Sequence, residues 1–223
     1  MEGTRLRILQ LLQANGHKTV DGLATSIGLA PATIRRHLDI LQRDRLVGFE
    51  EVRKKTGRPE YSFYLTEDGQ ESLPKDYDRL LTRVVDQIGK LTPEDTQGLD
   101  GPQILHQVFT GLSQQTASEN VSLEGQSLEQ RAKSLFKVLE SQDFSPILTK
   151  SDDVIELRLM NCPFRSVAMK NPSVCSYDFH LIATMLGVDI SRMESIRDGA
   201  GGCMYKIMVT PDESRELAIG IER

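Results

Sequence analysis

The chain has 223 residues, of which 39% are hydrophobic and 26% charged, a composition typical of a soluble globular protein with one large or two small domains. No apolar run reaches the length of a bilayer-spanning helix, and the N-terminal MEGTRLRILQ lacks the apolar core of a signal peptide, so we expect a cytoplasmic protein with no membrane partner. In that compartment three cysteines, an odd number, are core residues, redox thiols or metal ligands rather than a disulfide framework.

The net charge of −5 is unevenly distributed along the chain. Residues 1–72 carry 11 Lys and Arg against 10 Asp and Glu, whereas residues 73–223 carry 16 against 22. Because the excess of acidic residues lies in the second part, a basic surface on the first part can bind nucleic-acid phosphates.

The first part of the chain contains three short segments whose apolar residues have helical spacing, at residues 4–16, 19–28 and 30–47. A tight Gly-Leu turn precedes the third, and Pro31 suits its first turn. This order predicts a helix-turn-helix, although a small three-helix bundle with a solvated face has the same pattern. The core-facing positions of the third helix are Ile34, Leu38 and Leu41.

The third helix carries four polar residues, Thr33, Arg35, Arg36 and His37, largely off its core face. In a helix-turn-helix this helix enters the major groove of double-stranded DNA. We therefore expect Thr33, Arg36 and His37 to meet bases or phosphates, with Arg35 beside them.

Two β-rich runs, 47–53 and 60–66, enclose a basic turn that predicts a hairpin with a cationic tip. Beside a recognition helix such a hairpin is a wing, whose tip lies along phosphate or in the minor groove. The run GRPEYSFYLTEDG resembles the wing of bacterial regulators of the DeoR and ArsR type, and the resemblance extends over about residues 4–70. The predicted tip contacts are Lys54, Lys55 and Arg58.

After the break at Pro74, PKDYDRLLTRVVDQIGKL has apolar residues spaced by 4, 3, 4 and 3. This spacing predicts a short coiled-coil seam, and a regulator that reads a palindromic operator needs a homodimer. The alternative is a helix that packs on its own domain. The seam residues are Tyr77, Leu81, Val84, Ile88 and Leu91.

The polar TPEDTQGLDGPQ at 92–103 is the best hinge, and beyond it the pattern predicts a mixed module. Two helices, a hairpin, a helix from Ser176 and a strand at CMYKIMVT are expected there. With no nucleotide-binding loop, Ser/His/Asp order or HExxH, we expect no enzyme. The predicted fold class is α+β, with a winged helix-turn-helix at 1–72, a linker and dimerisation helix with hinge at 73–102, and an α+β sensor domain at 103–223.

Each cysteine is predicted at the end of an element: Cys162 after a strand, Cys175 before a helix and Cys203 at the start of a strand behind DGAGG. The helix N-terminus should favour the thiolate of Cys175, and the glycines should let backbone approach a bulky ligand at Cys203. The spacing C-x12-C-x27-C has no CxxC pair, which argues against a zinc ribbon or a ferredoxin loop. Buried structural cysteines remain the alternative.

This spacing, with its NCPF and GGC contexts, resembles the SufR-like iron–sulfur repressors over nearly the whole chain. The resemblance implies that Cys162, Cys175 and Cys203 hold a [4Fe–4S] cluster, which can decay to [2Fe–2S], and that the protein represses genes for iron–sulfur cluster assembly. Four irons and three cysteines leave one iron without a thiolate. His180 is the first candidate for that iron, with Asp178, Asp189, Glu194, a small thiol or water as alternatives.

Three other functions fit parts of the sequence. The cysteines of a DNA-binding regulator can form a zinc site or a thiol redox switch. An iron–sulfur carrier or enzyme can use a winged helix for protein contacts. A regulator with an apolar pocket can sense a small molecule without using its cysteines.

Overall fold

The structure is a computed structural model that describes residues 3–52, 60–120, 125–151 and 154–208. The chain divides into two compact units, Met1–Pro74 and Lys75–Arg223. The predicted fold class, α+β with an N-terminal winged helix, is confirmed.

Three helices and a small sheet form the first unit, and local signals mark their ends. The second helix starts where Thr19 Oγ1 accepts a hydrogen bond from the Gly22 N–H at 3.1 Å, and it ends at Gly28, whose φ of +78° favours glycine. Pro31 opens the third helix. The elements are α1 (Gly3–Asn15), β1 (His17–Thr19), α2 (Val20–Ile27), α3 (Pro31–Arg43), β2 (Val47–Val52), β3 (Glu60–Leu65) and α4 (Glu67–Glu71).

The predicted core of this unit is found. Ile34, Leu38 and Leu41 of α3 are buried against apolar residues of α1 and α2. The sheet is antiparallel in the order β1-β3-β2. Strand β1 was not predicted, because three residues are too few to show a period. The wing strands lie close to the predicted ranges, and the turn between them, residues 53–59, lies outside the described residues.

The second unit combines a helical layer with an antiparallel sheet in the order β4-β5-β7-β6. The predicted hairpin, the helix from Ser176 and the final strand are all present. Strand β6 and helix α9 were not predicted. The elements are α5 (Tyr77–Ile88), α6 (Pro93–Thr96), α7 (Gly101–Asn120), α8 (Leu128–Ser141), β4 (Pro146–Ser151), β5 (Val154–Leu159), α9 (Arg165–Lys170), α10 (Ser176–Leu186), β6 (Ile190–Glu194) and β7 (Cys203–Ile207), with 3₁₀ turns at Pro172–Cys175 and Ile196–Asp198.

Helix α5 is part of the second unit. Its Leu80 is buried in the core that α7, α8 and α10 share with the sheet. Arg83 Nη1 also donates a hydrogen bond to the buried Tyr177 hydroxyl at 3.1 Å, and that hydroxyl donates to Gln142 Oε1 at 2.8 Å. Among the described residues, no helix is both long and apolar enough to cross a bilayer.

Candidate functional site

The outer face of α3 is polar, as predicted. Thr33, Arg35 and Arg36 are exposed and His37 is half-buried. Since successive helical residues are about 100° apart, Arg36 points away from the buried Ile34, and Thr33 and His37 flank it on one side.

Two features of this surface were not singled out from the sequence. Exposed Arg43 lies seven residues after Arg36 and therefore on the same face of α3. Arg35 instead borders a groove of about 720 Å³ between α3 and the wing strands. The exposed rings of Phe49 and Tyr61 line this groove and meet edge to face at 5.1 Å. The wing-tip candidates Lys54, Lys55 and Arg58 lie outside the described residues.

The second candidate site is a pocket in the second unit, and all three cysteines line it. We call it the cysteine pocket. Cys162 lies in the loop after β5, Cys175 ends the 3₁₀ turn before α10, and Cys203 is the first residue of β7. The polar side chains that line the pocket with them are Asn161, Arg165, Asp178 and Arg197.

Strand pairing brings two of these segments together. In the register of β5 and β7, Leu159 stands opposite Cys203, and Cys162 follows Leu159 by three residues. A Cβ on Gly202 would stand 2.8 Å from the Leu159 carbonyl oxygen, so a larger residue would push the two strands apart. We expected the glycines before Cys203 to make room for a ligand. At Gly202 the close approach is instead to the backbone of β5.

The surroundings of the three thiols favour their protonated forms. Burial, and after it the Asp178 carboxylate, raises the pKa of Cys175 to about 11 and that of Cys203 to about 12. The same two causes, in the same order, raise the pKa of Cys162 further still. The expectation that the α10 N-terminus favours a Cys175 thiolate is therefore wrong here, because desolvation outweighs the helix dipole.

Asp178, rather than His180, lines the cysteine pocket. Asp178 is buried, and Tyr205 Oη donates a hydrogen bond to its Oδ2 at 2.5 Å. His180 lies two residues further along α10, about 200° round the helix. Its ring meets that of His106 edge to face at 5.4 Å. The other two carboxylate candidates are also outside the pocket lining: Asp189 is exposed and Glu194 pairs with Arg158 at 3.3 Å.

The free space at the centre of the pocket is about 20 Å³, close to that of one water molecule. Within the described part of the chain, no three His, Cys, Asp or Glu side chains are arranged to hold one metal ion. The ligands of a single metal ion converge on one point. The ligands of a polynuclear cluster bind different metal atoms and can therefore lie further apart.

The segment 161–166 comprises the loop that carries Cys162 and the start of α9, and we call it the Cys162 loop. It is hydrogen-bonded to residues 75–77, which we call the entry segment because they begin the second unit directly after Pro74. Asp76 N donates to the Pro163 carbonyl at 3.1 Å, and Lys75 Nζ donates to Asn161 Oδ1 at 3.2 Å. Tyr77 Oη accepts from the Ser166 N–H at 3.1 Å and from its hydroxyl at 2.8 Å.

The predicted seam on α5 is divided between two environments. Tyr77 bonds to Ser166, and Val84 packs against the core of its own unit. Leu91 lies beyond the end of α5. The exposed apolar stripe of α5 consists of Leu81 (64% exposed), Val85 (58%) and Ile88 (49%). Val85 was not among the predicted seam residues.

Comparison with known proteins finds a family match within the first unit. Residues 2–48, which hold α1 to α3, match the profile of the family described as "Bacterial regulatory protein, arsR family". This supports a transcription regulator with an N-terminal DNA-binding helix-turn-helix. The match ends before every cysteine.

No curated protein matches the chain. Among solved structures, the chain is similar to Bacillus subtilis PadR in complex with operator DNA, at 16% identity over 62% of this chain and 90% of that one. The TM-score is 0.28, too low for that likeness to carry an argument here.

We expect Arg36→Ala to weaken binding to duplex DNA about tenfold, or about 1.4 kcal/mol. Loss of one phosphate contact should also reduce the slope of log affinity against log salt concentration by about one. The measurement is a salt titration of DNA binding by fluorescence anisotropy. Arg7→Ala is the matched control, since it removes an exposed arginine of the same unit from α1. Equal affinities and slopes for the two variants would exclude Arg36 from the DNA contacts.

Proposed function

We propose that this protein is a transcription repressor whose affinity for DNA is set by an iron–sulfur cluster in the cysteine pocket. The observation that carries the proposal is the convergence of the three cysteines, from three separate segments, on one pocket. The spacing and contexts of these cysteines resemble those of SufR-like repressors, which favours genes of iron–sulfur cluster assembly as the targets.

The donor set suits an iron–sulfur cluster. Cysteine thiolates are the usual protein ligands of such clusters, and Cys162, Cys175 and Cys203 would supply three. Arg165 and Arg197 also line the pocket and would offset the negative charge of the thiolates. A bound [4Fe–4S] cluster supplies redox and oxidant sensitivity that the side chains lack, and [2Fe–2S] is a product of its damage.

The pocket has a small free volume, so a cluster held by Cys162, Cys175 and Cys203 would require these residues to move apart and their thiols to lose protons. The path of the chain at residues 161–166 would then change with cluster occupancy. A change in that loop is the physical difference that a DNA-binding unit can respond to.

The entry segment provides a route for that response. Its three residues are hydrogen-bonded to the Cys162 loop at Asn161, Pro163 and Ser166. The peptide bond after Pro74 joins the entry segment to the winged-helix unit, so a shift of the loop pulls on the chain where that unit ends.

The active form is a homodimer that reads a palindromic operator. Support comes from the apolar stripe of α5, where Leu81, Val85 and Ile88 recur at i, i+4 and i+7 with about half or more of each side chain exposed. A second copy of the same stripe buries these side chains and supplies the two-fold symmetry that a palindrome requires.

We expect Cys162→Ser, Cys175→Ser and Cys203→Ser each to lose most cluster iron, because each change leaves one iron without its thiolate. The measurement is iron and sulfide per subunit after anaerobic purification, together with DNA affinity. Thermal unfolding of the ligand-free variants, compared with ligand-free wild type, separates cluster loss from misfolding.

The alternatives predict other results in this experiment. A zinc site gives zinc without sulfide, and a thiol switch gives no metal and one dispensable cysteine. Inert core cysteines or a small-molecule sensor leave DNA control intact in all three variants. Salt-dependent binding to duplex DNA separates all of these from an iron–sulfur carrier or enzyme. Any of these patterns would contradict the proposal.

The double substitution Leu81→Asp, Val85→Asp should convert the dimer to a monomer, because it places four carboxylates at the proposed interface. Sedimentation at micromolar concentration measures the change. Thr82→Asp is the matched control, since it adds a carboxylate at an exposed neighbouring position of α5. A double variant that stays dimeric would remove α5 from the interface.

Tyr77→Phe should uncouple the two units without emptying the pocket, because it keeps the ring and removes both hydrogen bonds to Ser166. Iron content should equal that of wild type, while the ratio of loaded to ligand-free DNA affinity falls several-fold towards one. Ser118→Ala, which removes an exposed hydroxyl from α7, should leave that ratio unchanged. A wild-type ratio in Tyr77→Phe would exclude the entry segment as the route.

A further inference from the structure

We propose that Asp178 is the fourth protein ligand of the cluster, an oxygen donor for the iron that no cysteine reaches. This inference rests on the function proposed above.

Position is the first argument for Asp178. It lines the same pocket as the three cysteines, and it lies in the first turn of α10, three residues after Cys175, which immediately precedes that helix. Its charge raises the pKa of each of the three thiols, after the larger effect of their burial. No other carboxylate borders this pocket among the residues that the structure describes.

The second argument is the burial of the carboxylate. Asp178 is 7% exposed, and a buried carboxylate is costly unless it is paired, hydrogen-bonded or bound to a metal. Tyr205 Oη donates to Oδ2, and this hydrogen bond holds the carboxylate at the pocket. Arg192 lies near this carboxylate, and its Nη1 donates a hydrogen bond to the Cys175 carbonyl at 3.4 Å.

Helix geometry decides between Asp178 and His180. Side chains two residues apart on a helix point in nearly opposite directions, so α10 cannot present both to one pocket. His180 stacks edge to face against Phe179 and His106 instead, at 5.5 Å and 5.4 Å between ring centroids. His106 in turn bonds to Ser176 Oγ at 2.9 Å, which keeps this pair of rings outside the cysteine pocket.

The consequence is one iron that differs from the other three. A carboxylate is a harder ligand than a thiolate and is the weaker partner for iron in a sulfide-rich site. The iron at Asp178 is therefore the first to be lost when oxidant or a chelator reaches the cluster. An oxygen ligand at this position makes one defined iron sensitive to oxidants and chelators.

The test compares how fast anaerobically purified, cluster-loaded proteins lose their fourth iron to a fixed excess of ferricyanide. Iron per subunit and the electron paramagnetic resonance signal of a three-iron cluster are the readouts. Asp178→Asn keeps the shape of the side chain and an acceptor for Tyr205, and it should lose that iron about tenfold faster than wild type. Asp178→Cys supplies a thiolate and should lose it more slowly than wild type.

Two controls make the result specific. Asp189→Asn makes the same chemical change at an exposed carboxylate outside the pocket, and His180→Ala removes the competing candidate; both should match wild type.

The remaining outcomes each decide the question. Wild-type rates in Asp178→Asn, or faster loss in His180→Ala, overturn the assignment. If Asp178→Asn fails to fold, Asp178→Cys decides: slower loss supports the ligand role, and an unchanged rate excludes it. Wild-type protein that holds no iron and sulfide refutes the proposed function itself, which is a different result from any of these.

Discussion

The pairing of β5 with β7 is the constraint on which the cysteine pocket depends. Its register sets Leu159 opposite Cys203, and the close approach at Gly202 allows the two strands to keep that register. Cys162 follows β5 and Cys203 opens β7, so two residues that are 41 positions apart in the sequence line one pocket. Helix α10 shares an apolar core with this sheet; it adds Asp178, and the 3₁₀ turn before it adds Cys175. Without the register, the three cysteines would belong to unrelated loops.

The electrostatics of the pocket follow from its burial. Three thiols and one buried carboxylate lie where water is scarce, and burial, followed by the charge of Asp178, raises the pKa of each thiol. These pKa shifts favour the neutral form of each thiol. Under the proposed function, the cluster would reverse this preference, since its irons would take the place of the thiol protons. Burial that disfavours free thiolates thus also discourages reactions of the ligand-free cysteines.

The winged-helix unit could be predicted from its sequence because its signals are local. The buried spacing of Ile34, Leu38 and Leu41, Pro31 at the first turn and Gly28 before it each act within one helix. The sequence also placed each cysteine near the end of an element. It did not show which side chains of α10 face the pocket, because SYDFHLIATML is buried on several sides and has no single apolar stripe. Asp178 and His180 could be distinguished only once the sheet had fixed the orientation of that helix.

The hydrogen bonds between the entry segment and the Cys162 loop are numerous enough to carry the coupling that the proposed function requires. A coupling of 1–3 kcal/mol between two sites changes an affinity by about 5- to 150-fold. Each intramolecular hydrogen bond contributes about 0.5–1.5 kcal/mol net, and Lys75, Asp76 and Tyr77 together make four such bonds to the loop. Structural zinc sites bind their metal with about 10 kcal/mol or more. Under the proposed function, a binding free energy of that order would exceed the coupling that the entry segment has to transmit.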